Sequence, residues 1–213
     1  MRRLLAVALL LALAGAGAAV AGRGDPQTRF TAADQARAKA MLLRKGDFGL
    51  GFRATPTSTA GADFYCKALD ESDLTITGEG ESPTFVGGVE FVTSLSQVYK
   101  TLSHSKTAWR RGTSAAGEKC ARDEFRRQFK KEGARLEAFR RVTFPRLAEQ
   151  SVAYRLVISS QGIRVFIDVI ALRQSRIQAG LFLGSALTPM QESEVLRLSR
   201  LVARRMAQAK RGS

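Results

Sequence analysis

The 213-residue chain has no asparagine, a single histidine, a single tryptophan and only two cysteines. A structural zinc site normally takes four Cys, His or carboxylate ligands, so this inventory excludes the usual zinc-binding patterns, and no metal or cofactor is expected. Hydrolytic chemistry usually needs a positioned base. His104 is the one histidine, and between Ser103 and Ser105 it reads as a polar helix start. No G-x-S-x-G elbow occurs, since Gly112-Thr113-Ser114-Ala115-Ala116-Gly117 does not fit that spacing, and no phosphate-cradling G-x-x-x-x-G-K-[ST] run is present. No local spacing points to paired carboxylates. A non-enzymatic role is therefore expected. The missing asparagine, with 25 Arg against 9 Lys, is the codon signature of a GC-rich bacterial genome.

Long apolar runs are also absent, except at the start. Met1-Arg2-Arg3 precedes an apolar stretch, Leu4 to Leu13, that grades into small residues and ends in Ala19-Val20-Ala21. This is the layout of a secretory signal peptide over residues 1–21, with the cut after Ala21. The alternative is an uncleaved anchor, because residues 4–21 come close to the roughly 20 apolar residues that span a bilayer. No cysteine follows the cut, so no lipid anchor is expected there. The protein is placed outside the cytoplasm: secreted, periplasmic or in the cell-wall zone, with no transmembrane segment after cleavage. Residues 22–30 read as a linker and 31–211 as one domain.

In an oxidising compartment Cys66 and Cys120 are expected to pair, the alternative being two reduced, buried thiols. Loss of Arg2 and Arg3 takes the formal charge from +15 to +13, and residues 100–146 hold fourteen Lys/Arg against five Asp/Glu. Such a field favours polyanions: acidic wall polymers, anionic lipid or extracellular nucleic acid. Genomic arginine bias accounts for part of it, and export makes chromosomal DNA an improbable partner.

The periodicity predicts a helix over 32–45 opened by Thr31, a short strand at 48–53, and a loop over 54–63. A strand follows around Leu74 and Ile76, closed by Gly78, Gly80 and Pro83, and a longer one covers 89–99. From 103 to 133 the pattern is helical, broken near Gly112 to Ser114, with Phe125 and Phe129 on one stripe. Strands are predicted at 136–144, 152–159, 163–172 and 177–184. A last helix starts at Thr188-Pro189 and buries Val195, Leu198, Val202, Met206 and Ala209. Consecutive short-turn strands lie antiparallel, so the fold class is α+β: a curved antiparallel sheet in two layers with N-terminal, central and C-terminal helices. Trp109, between helical neighbours and Arg110-Arg111, reads as a partly buried anchor or as a stacking platform.

The order of first helix, loop with Cys66, strand ending in Thr77-Gly78, strand 89–99 leading to Ala108-Trp109 and Cys120, and then Val165-Phe166-Ile167-Asp168-Val169 before a long C-terminal helix has a counterpart. Over roughly 31–208 it resembles the extracellular sensor domains of mycobacterial serine/threonine kinases and their stand-alone secreted relatives. This chain has fewer cysteines than those domains tend to have, and no kinase. The resemblance implies a sheet wrapped on helices with a cleft, and binding of an unknown small molecule or envelope component in place of catalysis.

Strand register suggests where. A Ser160-Gln161 turn sets Val152, Tyr154, Leu156 and Ile158 opposite Val169, Ile167, Val165 and Ile163, an apolar face for the helices. A turn at Arg173-Gln174-Ser175 extends that face with Ile177, Ala179, Leu181 and Leu183. The other face then collects Arg155, Phe166, Asp168, Gln178 and Phe182, with Arg155 diagonal to Asp168 and Gly180 leaving room beside the carboxylate. An apolar wall with a few polar groups is how small-molecule pockets are lined. The alternative is that this face is covered and the pair is structural.

Overall fold

The computed structural model describes residues 24–56 and 66–211; the expected signal peptide over 1–21 and its expected cut after Ala21 lie outside them. Among the described residues nine strands form one sheet. They are β1 (Gln27–Thr28), β2 (Arg53–Thr55), β3 (Thr75–Glu81), β4 (Thr84–Gly87), β5 (Glu90–Tyr99), β6 (Arg135–Val142), β7 (Gln150–Ser160), β8 (Ile163–Gln174) and β9 (Ile177–Ala186). The order is β1-β3-β5-β9-β8-β7-β6, with β4 pairing β5 beyond the end of β3 and carrying β2 on its outer side. All pairings are antiparallel except β1 with β3.

Among the described residues four α-helices cover it: α1 (Ala32–Met41), α2 (Leu102–Thr113), α3 (Ala115–Lys131) and α4 (Glu192–Arg211). Three caps have visible causes in sequence. The Thr31, Thr101 and Ser114 hydroxyls accept the Asp34, His104 and Gly117 amides, each filling an orphan donor of a first turn. The α2 cap therefore sits at Thr101, ahead of the helical pattern expected from 103. Among the described residues no helix is long and apolar enough to cross a membrane.

The expected α+β class holds, but the layers number three, not two. Met41 and Ala38 of α1 and Val195, Leu198, Val202 and Met206 of α4 pack on Val92, Val98, Ile170, Leu172, Leu181 and Leu183 of one sheet face. Trp109 of α2 and Phe129 of α3 join Val152, Tyr154, Leu156, Ile158 and Val165 on the other. Trp109 is thus a buried anchor. Cys66 and Cys120 form the expected disulfide, tying the short 3-10 turn Lys67–Leu69 to the middle of α3.

Several boundaries differ. The first helix ends at Met41, and residues 48–52 form no strand. Gln27–Thr28, expected in a linker, is an edge strand paired to Thr75–Ile76. β3 runs through Gly78 and Gly80 and ends at Glu81, ahead of Pro83; glycine is needed at 78 because α1 crosses so closely that a Cβ there would lie 2.2 Å from the Asp34 carbonyl oxygen. The last helix begins at Glu192, with Val195 N–H bonding to Gln191 O, so Thr188-Pro189 shapes the preceding turn.

Candidate functional site

The five residues expected to share one face do not. Gln161 and Gly162 form the β7–β8 turn with φ of 52° and 79°, a left-handed pair that favours glycine at its second position; the glycine is in the turn and not on the strand. This shifts the β7–β8 register by two, which preserves faces. At β8–β9 the turn is Ser175-Arg176, and Gln174 pairs with Ile177, a shift of three that exchanges them. Arg155, Phe166 and Asp168 consequently lie on the α1/α4 face, whereas Gln178 and Phe182 lie on the α2/α3 face.

Arg155 stands directly opposite Asp168 and grips it bidentately, Nε to Oδ1 at 2.7 Å and Nη2 to Oδ2 at 2.9 Å. Hydrogen bonding to Asp168 raises the Arg155 guanidinium above its ordinary value despite desolvation. Asp168 is 4% exposed and faces Leu183, not Gly180, so there is no open space of the expected kind beside it. Phe166 is half-buried next to the pair. On the other face Gln178 Nε2 donates to Ser105 O at 2.8 Å, pinning α2, and Phe182 lies between Thr93 and Val169. These residues form two separate inter-element ties. His104 is equally committed: its Nδ1 accepts the Thr75 amide at 2.9 Å.

The open chemistry lies at one end of the sheet. There α3 ends at Lys131, Gly133 turns the chain at φ 72°, Ala134 N–H returns to Phe129 O, and β6 leaves with Arg135. A bulge between Leu136 and Ala138 leaves Glu137 without a cross-strand partner. Its carboxylate takes Arg135 Nη2 at 3.3 Å and, from β8, Arg164 Nε at 2.9 Å. Desolvation raises the Glu137 carboxyl, but bonding from Ser159 and Arg135 and the charge of Arg164 outweigh it and leave it below its usual range. Around it lies a depression of about 720 Å³, lined by Lys130, Arg135 and Arg164 with Gly133, Ser160 and the β7–β8 turn. Two guanidinium groups hold one carboxylate while Lys130 lines the same depression, and all three cations are exposed. Guanidinium groups so placed suit the bidentate capture of phosphate, sulfate or carboxylate.

Lys130 and Arg135 belong to the basic run legible in sequence. Arg164 falls outside it, and the signal that could have found it is the alternation Ile163-Arg164-Val165, which turns its side chain away from the core.

A second set of titratable groups lies on the α2/α3 face near β3. The Tyr99 hydroxyl is 2.9 Å from Glu71 Oε2 and 3.1 Å from Gln97 Oε1, and Gln97 Nε2 reaches Glu79. Burial pushes both glutamates up. Among the described residues no group of three or more His, Cys, Asp or Glu is placed to hold a metal ion.

The fold and this site define a disulfide-tied, three-layer α+β protein with a cationic depression. No protein-family model matches the chain, and a search of curated proteins finds no match to it.

Proposed function

We propose that the protein is an exported, non-enzymatic binding module of the bacterial cell envelope that engages an anionic partner with the basic end of its sheet. The observation that carries this reading is the Lys130–Arg135–Arg164 depression, where three exposed cations line one hollow against a single carboxylate, Glu137, bonded to the two arginines. The signal layout at residues 1–21, the Cys66–Cys120 bond and the sensor-like order of elements support it from the side of location. The other partner class, a polyanion bound over residues 100–146, becomes specific here: the site takes the end of α3, the start of β6 and Arg164.

The test is titration of the exported protein with soluble polyphosphate at low ionic strength. Binding is expected, with log K falling linearly against log salt. Replacing Lys130, Arg135 and Arg164 by Gln reduces the slope by about 1 for each phosphate-binding cation removed. Absence of binding at low salt, or a slope untouched by the triple substitution, defeats the reading.

A further inference from the structure

The loops at the basic end of the sheet carry a second property. β-pairing places five segments side by side there: 49–52 ahead of β2, the Gly88-Val89 turn between β4 and β5, residues 187–191 after β9, the Gln161-Gly162 turn, and residues 132–134 ahead of β6. Among the described residues the exposed large hydrophobics are Phe30, Leu50, Val89, Leu102 and Leu187. Three of these five, on three separate loops, fall at this end: Leu50 at 104% exposure, Val89 at 50% and Leu187 at 66%. They are knitted to the basic site by backbone bonds. Leu187 N–H donates to Arg164 O at 2.8 Å, and Ala186 N–H donates to Val89 O at 3.1 Å. The loop of Leu50 is seated next to the same turn, where the Phe52 ring lies against Gly87. Leu187 also holds φ at 78°, a left-handed conformation that costs a non-glycine residue energy, and it does so with its side chain in water.

Along the strand order the apolar tips come first and the cations Arg164, Arg135 and Lys130 follow. A soluble polyanion would use only the second half of this edge. A bilayer interface uses both, since apolar side chains enter the acyl boundary while Lys and Arg meet anionic headgroups. We infer that this end of the molecule docks on an anionic membrane surface, with Leu50, Val89 and Leu187 entering the interface and Lys130, Arg135 and Arg164 holding headgroup phosphates. The inference rests on the anion-binding reading above for its basic half only.

The experiment is co-sedimentation of the protein recovered after export, its N-terminus fixed by intact mass, with phosphatidylglycerol/phosphatidylcholine vesicles and with pure phosphatidylcholine vesicles. Polyphosphate binding is measured alongside. Wild type is expected on the anionic vesicles and not on the neutral ones. Leu187→Asn with Val89→Thr, which suit the left-handed and turn positions, should weaken vesicle binding about tenfold or more and leave polyphosphate binding unchanged. Leu50→Ser, on its own loop, should act the same way. Arg135→Gln with Arg164→Gln should lower both, by about fivefold per cation on vesicles. If polyphosphate binds but vesicles do not, or if none of the apolar substitutions changes vesicle binding, membrane docking is wrong while anion binding stands. If neither probe binds, both readings fall.

Discussion

Asp34 is only 5% exposed, yet it holds a full charge against three donors. Arg176 from the β8–β9 turn grips it at 2.7 and 2.8 Å, Arg37 reaches it within α1, and Thr77 donates from β3 at 2.6 Å. Desolvation raises its carboxyl, but the bonds from Arg176, Thr77 and Arg37 overcome that and bring it to about 2 from 3.8. A depressed carboxyl stabilises the fold above its unfolded pKa, and that stability is lost as pH falls from about 4 to about 2, a difference of roughly 2 kcal/mol. Glu71 and Glu79 act with the opposite sign. Their folded values are raised above 4.5 by burial, so ionisation opposes folding and stability grows as pH falls through those values. The melting temperature should therefore peak at mildly acid pH and drop on both sides, as scanning calorimetry across pH will show. Glu71→Gln should flatten the neutral limb. Asp34→Asn should remove the acid limb and cost about 3 kcal/mol at its top, because Arg176 is left partly buried without its carboxylate.

Gly78 makes a sharper residue-scale case. A methyl group there meets the Asp34 carbonyl at 2.2 Å and its carbon at 2.4 Å, both backbone atoms that cannot swing away. Gly78→Ala should lift α1 off β3, costing about 3 kcal/mol or more in denaturant titration. A loss below about 1 kcal/mol would mean the helix slides freely.

At the scale of elements, β3 also shows what local sequence conceals. Gly78 and Gly80 look like strand terminators until the helix that needs their missing side chains is placed over them. Elements with a strong period were legible: the α4 stripe, the α3 stripe with Phe129, and β7 to β9 all lie where their spacing puts them. Register was legible at neither hairpin: at β7–β8 the Gln161-Gly162 turn moves it by two and so keeps the faces. At β8–β9 the turn is chosen from a distance, by Glu149 accepting the Ser175 amide at 3.0 Å and by Asp34 capturing Arg176. Neither partner is near in sequence, and the resulting odd shift separated Gln178 and Phe182 from Arg155, Phe166 and Asp168. The Cys66–Cys120 bond is the other long tie. It closes a separation of 54 residues and should contribute about 4 kcal/mol on the chain-entropy scale. The Cys66→Ser/Cys120→Ser double variant should lose that amount in denaturant unfolding, and intact mass after alkylation reports the bond directly.

For the whole molecule, the decisive quantity is the imbalance of charge. Among the described residues Asp34, Asp47, Asp73, Glu118, Asp123, Glu124, Glu137, Glu149, Asp168 and Glu194 each hold an arginine or lysine. The formal surplus of +15 over the full sequence acts as mutual repulsion, and it is felt where Lys130, Arg135 and Arg164 line one depression with only Glu137 bonded to the two arginines. Salt screens repulsion over roughly 10 Å at 0.1 M. Raising sodium chloride from about 10 mM to about 300 mM should thus raise the melting temperature of the free protein while it weakens polyphosphate binding. The two effects have one cause and opposite signs. If salt instead lowers the melting temperature, the surface pairs outweigh the repulsion, the end of the sheet carries no unbalanced field, and the attraction proposed for an anionic partner loses its source.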